Sequence, residues 1–252
     1  MQQFGLIGRS LNHSFSQNYF NDFFLRKDID AAYYNFELKS CGDFIRLITQ
    51  NKEIVGLNVT VPYKQEIIPY LSDLDTVAEN VSAVNVIKIH RDREGNYQKL
   101  KGFNTDVIGF ERSINPLLKP NHTHALILGT GGAAQAVKYS LNHNNIKTIF
   151  VSRCIFNEQD NIICYENLTK EIVHQYPIIV NCTPCGTFPN INTCPPFRYE
   201  WITKEHLCFD LVYNPMESLF LKKSAQMGAR IKNGYEMLII QAKESWKIWN
   251  TN

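Results

Sequence analysis

Leu126-Ile127-Leu128-Gly129-Thr130-Gly131-Gly132-Ala133-Ala134 is the stretch that decides the fold. An apolar run stopped by glycine reads as a buried strand of a parallel sheet. The glycines permit a tight turn and a close approach of backbone to ligand. Ala134, Val137 and Leu141 then recur at helical spacing, and Asn142-His143-Asn144-Asn145 ends the helix. A second apolar run, Thr148-Ile149-Phe150-Val151, follows. Strand, glycine turn, helix and strand form the βαβ unit that seats a pyrophosphate at a helix N-terminus. Gly129, Gly131 and Ala134 fill the G-x-G-x-x-A form of the dinucleotide fingerprint. The competing reading is an ordinary turn that needs glycine for geometry alone.

The 252 residues, 44% hydrophobic and 20% charged, suit one or two globular domains. A net charge of +2 leaves no nucleic-acid or membrane footprint. The start, Met1-Gln2-Gln3-Phe4-Gly5, lacks the basic-then-apolar pattern of a signal peptide, and no apolar run approaches a membrane span. Seven scattered cysteines favour a reducing cytoplasm. Cys182-Thr183-Pro184-Cys185 has C-x-x-C spacing but no second pair, so no metal is expected.

Upstream of this unit the chain alternates strands and helices. A strand over 4–8 precedes His13-Ser14-Phe15-Ser16 and a helix with Phe15, Tyr19 and Phe23 on one face. Ser14 reads as a helix N-cap, or with Ser16 as a donor to an anion. A strand over 33–38, a helix over 41–50 and a strand over 56–61 follow. Pro62 ends the last of these and displays Lys64 near a strand's C-terminal edge, where open α/β sheets bind ligands. A solvated surface lysine is the plain alternative. Strands over 84–90 and 97–101 flank a polar hairpin loop. Gly102-Phe103-Asn104-Thr105-Asp106 leads into a helix over 107–118, read as a connector between two α/β segments. Asp106 could be merely a first-turn acid. Further strands are expected over 177–181, 207–212 and 230–232, and helices over 218–227 and 235–249. The first segment should hold a mixed sheet, the second a parallel Rossmann-type sheet, with the cleft between them as the default site.

Several stretches together resemble the shikimate dehydrogenase family. They are Gly5-Leu6-Ile7-Gly8 with His13-Ser14-Phe15-Ser16; Asn58-Val59-Thr60-Val61-Pro62-Tyr63-Lys64; Ala83-Val84-Asn85; Gly102-Phe103-Asn104-Thr105-Asp106; the glycine turn; Thr183-Pro184-Cys185-Gly186; Asp210-Leu211-Val212-Tyr213-Asn214-Pro215; and Gly234 with Met237-Leu238 and Gln241-Ala242. They run in the family's order over nearly the whole chain. The resemblance implies reversible reduction of 3-dehydroshikimate to shikimate by NADPH, on the route to aromatic amino acids. It implies that Ser14 and Ser16 hold the substrate carboxylate, with Tyr213 nearby, and that Thr60, Lys64, Asn85, Asp106 and Gln241 hold the ring oxygens. Gly129, Thr130, Gly131, Gly132 and Ala133 would hold the pyrophosphate, and Leu211 and Gly234 would lie near the nicotinamide. It further implies a substrate domain over 1–103 completed by a returning C-terminal helix over 236–252, and an NADP domain over 104–235. The partners expected are the small-molecule substrate alone, in a monomer or homodimer.

Departures are visible. The family usually has Pro at Ser10 and Gln17, His at Phe20, Gly and Thr at Ser82 and Val86, and Asn-Arg-Thr at Ser152-Arg153-Cys154. A ketone reduction needs a group that donates a proton in one direction and accepts it in the other. Lys64 serves if its pKa falls from the usual ~10.4; desolvation lowers it and a neighbouring Asp106 raises it. NADP is expected over NAD. NAD sites carry an acid about 20 residues beyond the glycines. Here that strand ends at Ser152 and Arg153, with no acid until Glu158. Arg attracts a 2′-phosphate. The alternatives are a quinate/shikimate dehydrogenase that uses NAD, and a non-catalytic dinucleotide-binding regulator, which would need neither Lys64 nor Asp106.

Overall fold

In the computed structural model, which describes residues 1–11, 14–153 and 161–251, the chain forms two units. The first is Met1–Thr105 with Gln241–Asn252, the second Asp106–Ile240. No helix among the described residues is long and apolar enough to cross a membrane.

The first unit contains β1 (Gln2–Gly8), α1 (Phe15–Lys27), β2 (Ala31–Glu37), α2 (Asp43–Gln50), β3 (Ile54–Val59), α3 (Tyr63–Glu66), β4 (Asp73–Leu74), α4 (Thr76–Val81), β5 (Val86–Arg91) and β6 (Tyr97–Phe103). Its sheet runs β2-β1-β3-β5-β6-β4. β1 is parallel to β2 and β3, whereas β5 is antiparallel to β3 and to β6, so the sheet is mixed. Alternate strand residues feed opposite faces. Ile7, Leu57, Val59 and Ile87 pack with Phe44 and Ile48 of α2 on one side. Phe4, Leu6 and Val86 pack on the other with Phe20 and Phe24 of α1 and the C-terminal Trp249. There Phe20 stacks on Tyr33 with ring centroids 4.7 Å apart and planes 9° apart.

The second unit contains α5 (Asp106–Ile114), β7 (His124–Leu128), α6 (Gly132–His143), β8 (Lys147–Ser152), β9 (Ile162–Cys164), α7 (Lys170–Gln175), β10 (Ile178–Asn181), β11 (Leu207–Asp210), α8 (Leu219–Gln226), β12 (Arg230–Lys232) and the start of α9 (Tyr235–Asn250). All its strands are parallel, in the order β12-β11-β10-β7-β8-β9. Leu126 and Leu128 enter one core and Ile127 the other, which is why β7 is apolar without alternation. The order reverses between β7 and β10, the switch point at which such sheets bind ligands.

One expectation changes. The helix after Asp106 packs Phe110 and Ile114, both wholly buried, into the second unit's core. It also stops at Ile114, and a 3₁₀ turn over Asn115–Leu117 follows, because Pro116 removes a helical N–H donor. The short β4, α4, β9 and α7 went unread for want of periodic length. Asp75 and Thr169 cap the two helices, accepting from Ala78 N and Ile172 N.

Candidate active site

In the first unit the expected substrate positions gather at one edge of the sheet. Ser14 and Ser16 open α1 beyond β1, Thr60 and Lys64 follow β3, and Asn85 precedes the antiparallel β5. Thr105 follows β6 at the same edge. Backbone bonds fix the loops: Thr60 N donates to Ile7 O at 2.9 Å, and Val84 N to Lys64 O at 2.7 Å.

Ser14 stands at the N-cap of α1, but its side chain makes no capping bond. Its Oγ is buried and has no hydrogen-bond partner among the described residues. A buried hydroxyl in that state costs about 1–3 kcal/mol unless something else satisfies it, so the cap reading loses its physical basis and the anion reading gains. Ser14→Ala should therefore leave the melting temperature nearly unchanged. If the hydroxyl meets a carboxylate, KM for the acid substrate should rise about 10–100-fold, one charge-assisted hydrogen bond. A lower melting temperature with unchanged KM would restore the cap. His13, beside it, lies outside the described residues.

A chain of hydrogen bonds, missed from the sequence, joins two of the expected positions, Asn85 and Gln241. Burial pushes the Tyr33 phenol well up, keeping it neutral, while Ser16 opposes the rise. The phenol donates to Asn58 Oδ1 at 2.8 Å. Asn58 Nδ2 donates to Asn85 O at 3.2 Å and to Ser245 Oγ at 3.0 Å. Ser245 Oγ in turn donates to Gln241 O at 2.8 Å. Ser245 lies one turn beyond Gln241, a spacing that could have marked it. Asn85 is 4% exposed, and its amide exchanges bonds with Thr105, accepting from Thr105 N at 2.8 Å. It thereby fixes the residue immediately before Asp106. Asp106 itself is buried as the first residue of α5.

In the second unit the glycine turn joins β7 to α6. Gly129 has φ +103°, which L side chains rarely adopt, and a Cβ there would lie 3.2 Å from Thr183 Cγ2. Gly131 differs: a Cβ would meet nothing within 4 Å. The chain does not need glycine there for its own packing, whereas a closely approaching ligand would. The turn, with Thr130, Gly132 and Ala133 leading into α6, thus fits a pyrophosphate at a helix start. Ser152 ends β8, the neighbouring strand, and Arg153 follows it, exposed. Cys154, Asn157 and Glu158 lie outside the described residues. Gly234 packs against Leu211: its N donates to Val212 O at 3.1 Å, and a Cβ would collide with the Leu211 carbonyl.

Asp210, fully buried at the end of β11, ties these loops together. Its carboxylate accepts from Asn181 Nδ2 at 2.9 Å, from Val212 N at 3.0 Å and from Ser218 Oγ. Asn181 Oδ1 accepts from Thr183 Oγ1 at 2.6 Å, beside the glycine turn. Burial pushes the Asp210 carboxyl up to about 7, outweighing its donors. The folded chain therefore keeps this proton to higher pH than the unfolded chain, which loses it near ~3.9. The group's contribution to stability is full below pH ~4 and is lost as pH rises through about 7. Its slope approaches ~1.4 kcal/mol per pH unit within that window. Asp210→Asn should flatten it, as measured by urea denaturation across the window; parallel curves would exclude Asp210 as the source.

Comparison with known proteins decides the family. A profile of the shikimate dehydrogenase substrate binding domain matches residues 6–87. The shikimate dehydrogenase (NADP(+)) of Clostridium botulinum is 35% identical over 98% of this chain and 96% of its own length. That of Caldicellulosiruptor saccharolyticus is 32% identical over 99% of this chain and 92% of its own. The chain belongs to the shikimate dehydrogenase family. Among solved members, the shikimate dehydrogenase of Aquifex aeolicus superposes with a TM-score of 0.85 at 31% identity, covering 99% of this chain and 92% of that one. A shikimate dehydrogenase crystallised with NADP+ gives 0.82 at 30% identity, covering 99% and 90%.

Proposed function

We propose that this chain catalyses the reversible reduction of 3-dehydroshikimate to shikimate with NADPH. The observation that carries the reading is the sheet edge of the first unit, where the Ser14 hydroxyl, unsatisfied among the described residues, and the Asn85–Gln241 hydrogen-bond chain share an edge with Lys64. Family membership supports the same assignment.

Ser14 and Ser16 hold the substrate carboxylate, with Tyr213 as a further polar partner. Thr60, Asn85 and Gln241 orient the ring hydroxyls, and the Tyr33–Asn58–Ser245 chain holds Asn85 and Gln241 in place. Lys64 is the proton donor to the ketone oxygen in reduction and the acceptor in oxidation. Asp106 is the carboxylate we assign to the same reacting hydroxyl. Gly129, Thr130, Gly131, Gly132 and Ala133 would hold the pyrophosphate, Ser152 and Arg153 would hold the 2′-phosphate, and Leu211 and Gly234 would border the nicotinamide. When bound, the nicotinamide supplies or accepts the hydride. The first unit is thus the substrate domain and the second the NADP domain.

The test is an absorbance assay of shikimate and quinate, each against NADP and NAD. Turnover is expected with shikimate and NADP. Comparable turnover of quinate with NAD would favour the broader dehydrogenase, and no turnover in any combination would favour a binding protein.

A further inference from the structure

Beside the proposed substrate positions, the first unit carries a cavity that none of them lines. It has a volume of about 210 Å³ and is walled by Tyr19, Phe20 and Phe23 of α1 and by Ala242 and Trp246 of α9. The wall is almost wholly apolar. Phe20 matters here, since the family usually places a histidine at this position, which would set polar nitrogens into the floor. Lys243 and Lys247, one turn apart on α9, complete the lining. Lys247 is paired with Glu244 at 2.7 Å. Lys243 is exposed and has no ion pair among the described residues.

Size and chemistry restrict the occupant. An apolar cavity of ~150 Å³ admits a benzene ring, so this one has room for a ring with a short substituent. Aromatic walls favour an aromatic ring through offset and edge contacts. Lys243 lines the groove through its apolar stem and is exposed, so its ammonium can turn to the mouth and favour an anion, whose carboxylate can accept more than one of its donors. The groove is far too small to supply the area of a stable protein interface, on the order of 1,200 Å² or more. We propose that the cavity between α1 and α9 binds a small aromatic carboxylate, its ring among Tyr19, Phe23 and Trp246 and its carboxylate on Lys243. Ser16 lies one turn before Tyr19 and Phe20, and Gln241 is the neighbour of Ala242, so occupancy reaches the helix positions that frame the substrate edge.

The experiment follows the indole N–H resonances of the three tryptophans in the ¹⁵N-labelled full chain. Phenylacetate should shift Trp246 saturably, with Kd on the order of 0.1–1 mM for a ligand of this size, and leave Trp201 unmoved. Neutral phenylacetamide should bind about 10-fold more weakly, one charge-assisted contact. Lys243→Gln, a surface change that does not threaten folding, should weaken phenylacetate to the same extent. Saturating shikimate should not displace the probe. No saturable shift, equal affinity for the amide, an unaffected Lys243→Gln variant, or displacement by shikimate would each overturn the proposal. A Trp246 shift that tracks protein concentration without probe would assign the cavity to a second copy of the chain and overturn it too.

Discussion

Lys64→Ala is expected to lower kcat by about 10²–10⁴-fold while the chain stays folded, the usual loss for a general acid–base group. The structure separates the two readouts. α3 is a four-residue helix whose place is fixed by backbone, through Val84 N to Lys64 O at 2.7 Å and the burial of Tyr63. Neither depends on the Lys64 side chain, which is half-buried at the sheet edge. Truncation should therefore spare the melting temperature and strike the chemical step. KM for shikimate should change less than kcat if, as proposed, Ser14 and Ser16 carry the carboxylate. A folded Lys64→Ala protein with near-parental kcat would remove Lys64 from the mechanism and reopen the binding-protein reading.

Arg153→Ala should raise KM for NADP about 10–100-fold and leave KM for NAD nearly unchanged, the expectation for one charge-assisted phosphate contact. Arg153 follows β8 on the strand beside the glycine turn, and Gly129 N donates to Val151 O at 2.9 Å. That bond fixes the strand end that displays Arg153 relative to the pyrophosphate turn. Its exposure leaves the guanidinium available to a phosphate, which it can meet with two parallel hydrogen bonds. Equal damage to both cofactors would mean that Arg153 supports the turn and does not read the 2′-phosphate.

What the sequence made legible was local. The glycine turn declared itself because a positive φ at Gly129 leaves glycine as the strain-free choice, and β7 because both faces of a parallel strand are covered. Ser14 was visible as a residue at a helix start, but cap and anion donor share that position. Only the unsatisfied Oγ separates them. The Tyr33–Asn58–Ser245 chain was hidden because its bonds span 25 and 187 positions. Nothing in the alternation of β2 distinguishes a tyrosine that merely fills a core from one that also donates. Asp210 was hidden for a related reason: an acid at a strand end reads as solvated, and its burial depends on Asn181 and Ser218 arriving from elsewhere.

Residues from Gln241 onward complete the first unit, and this sets an order on synthesis. Trp249 Nε1 donates to Ile87 O at 3.1 Å, and its ring occupies the space a Cβ on Gly56 would need. It also packs on Phe4, Phe20 and Tyr33, side chains translated more than two hundred residues earlier. While the ribosome makes the second unit, the α1 face of the first sheet waits without its closing helix, with Phe4, Phe20 and Phe24 short of their partner. The second unit, Asp106–Ile240, is contiguous and can finish as soon as it emerges. The domain born first is thus the one that matures last. A nascent chain stalled before Gln241 would present that aromatic face to chaperones, and truncation before Trp249 would cost the first unit far more than the length removed suggests.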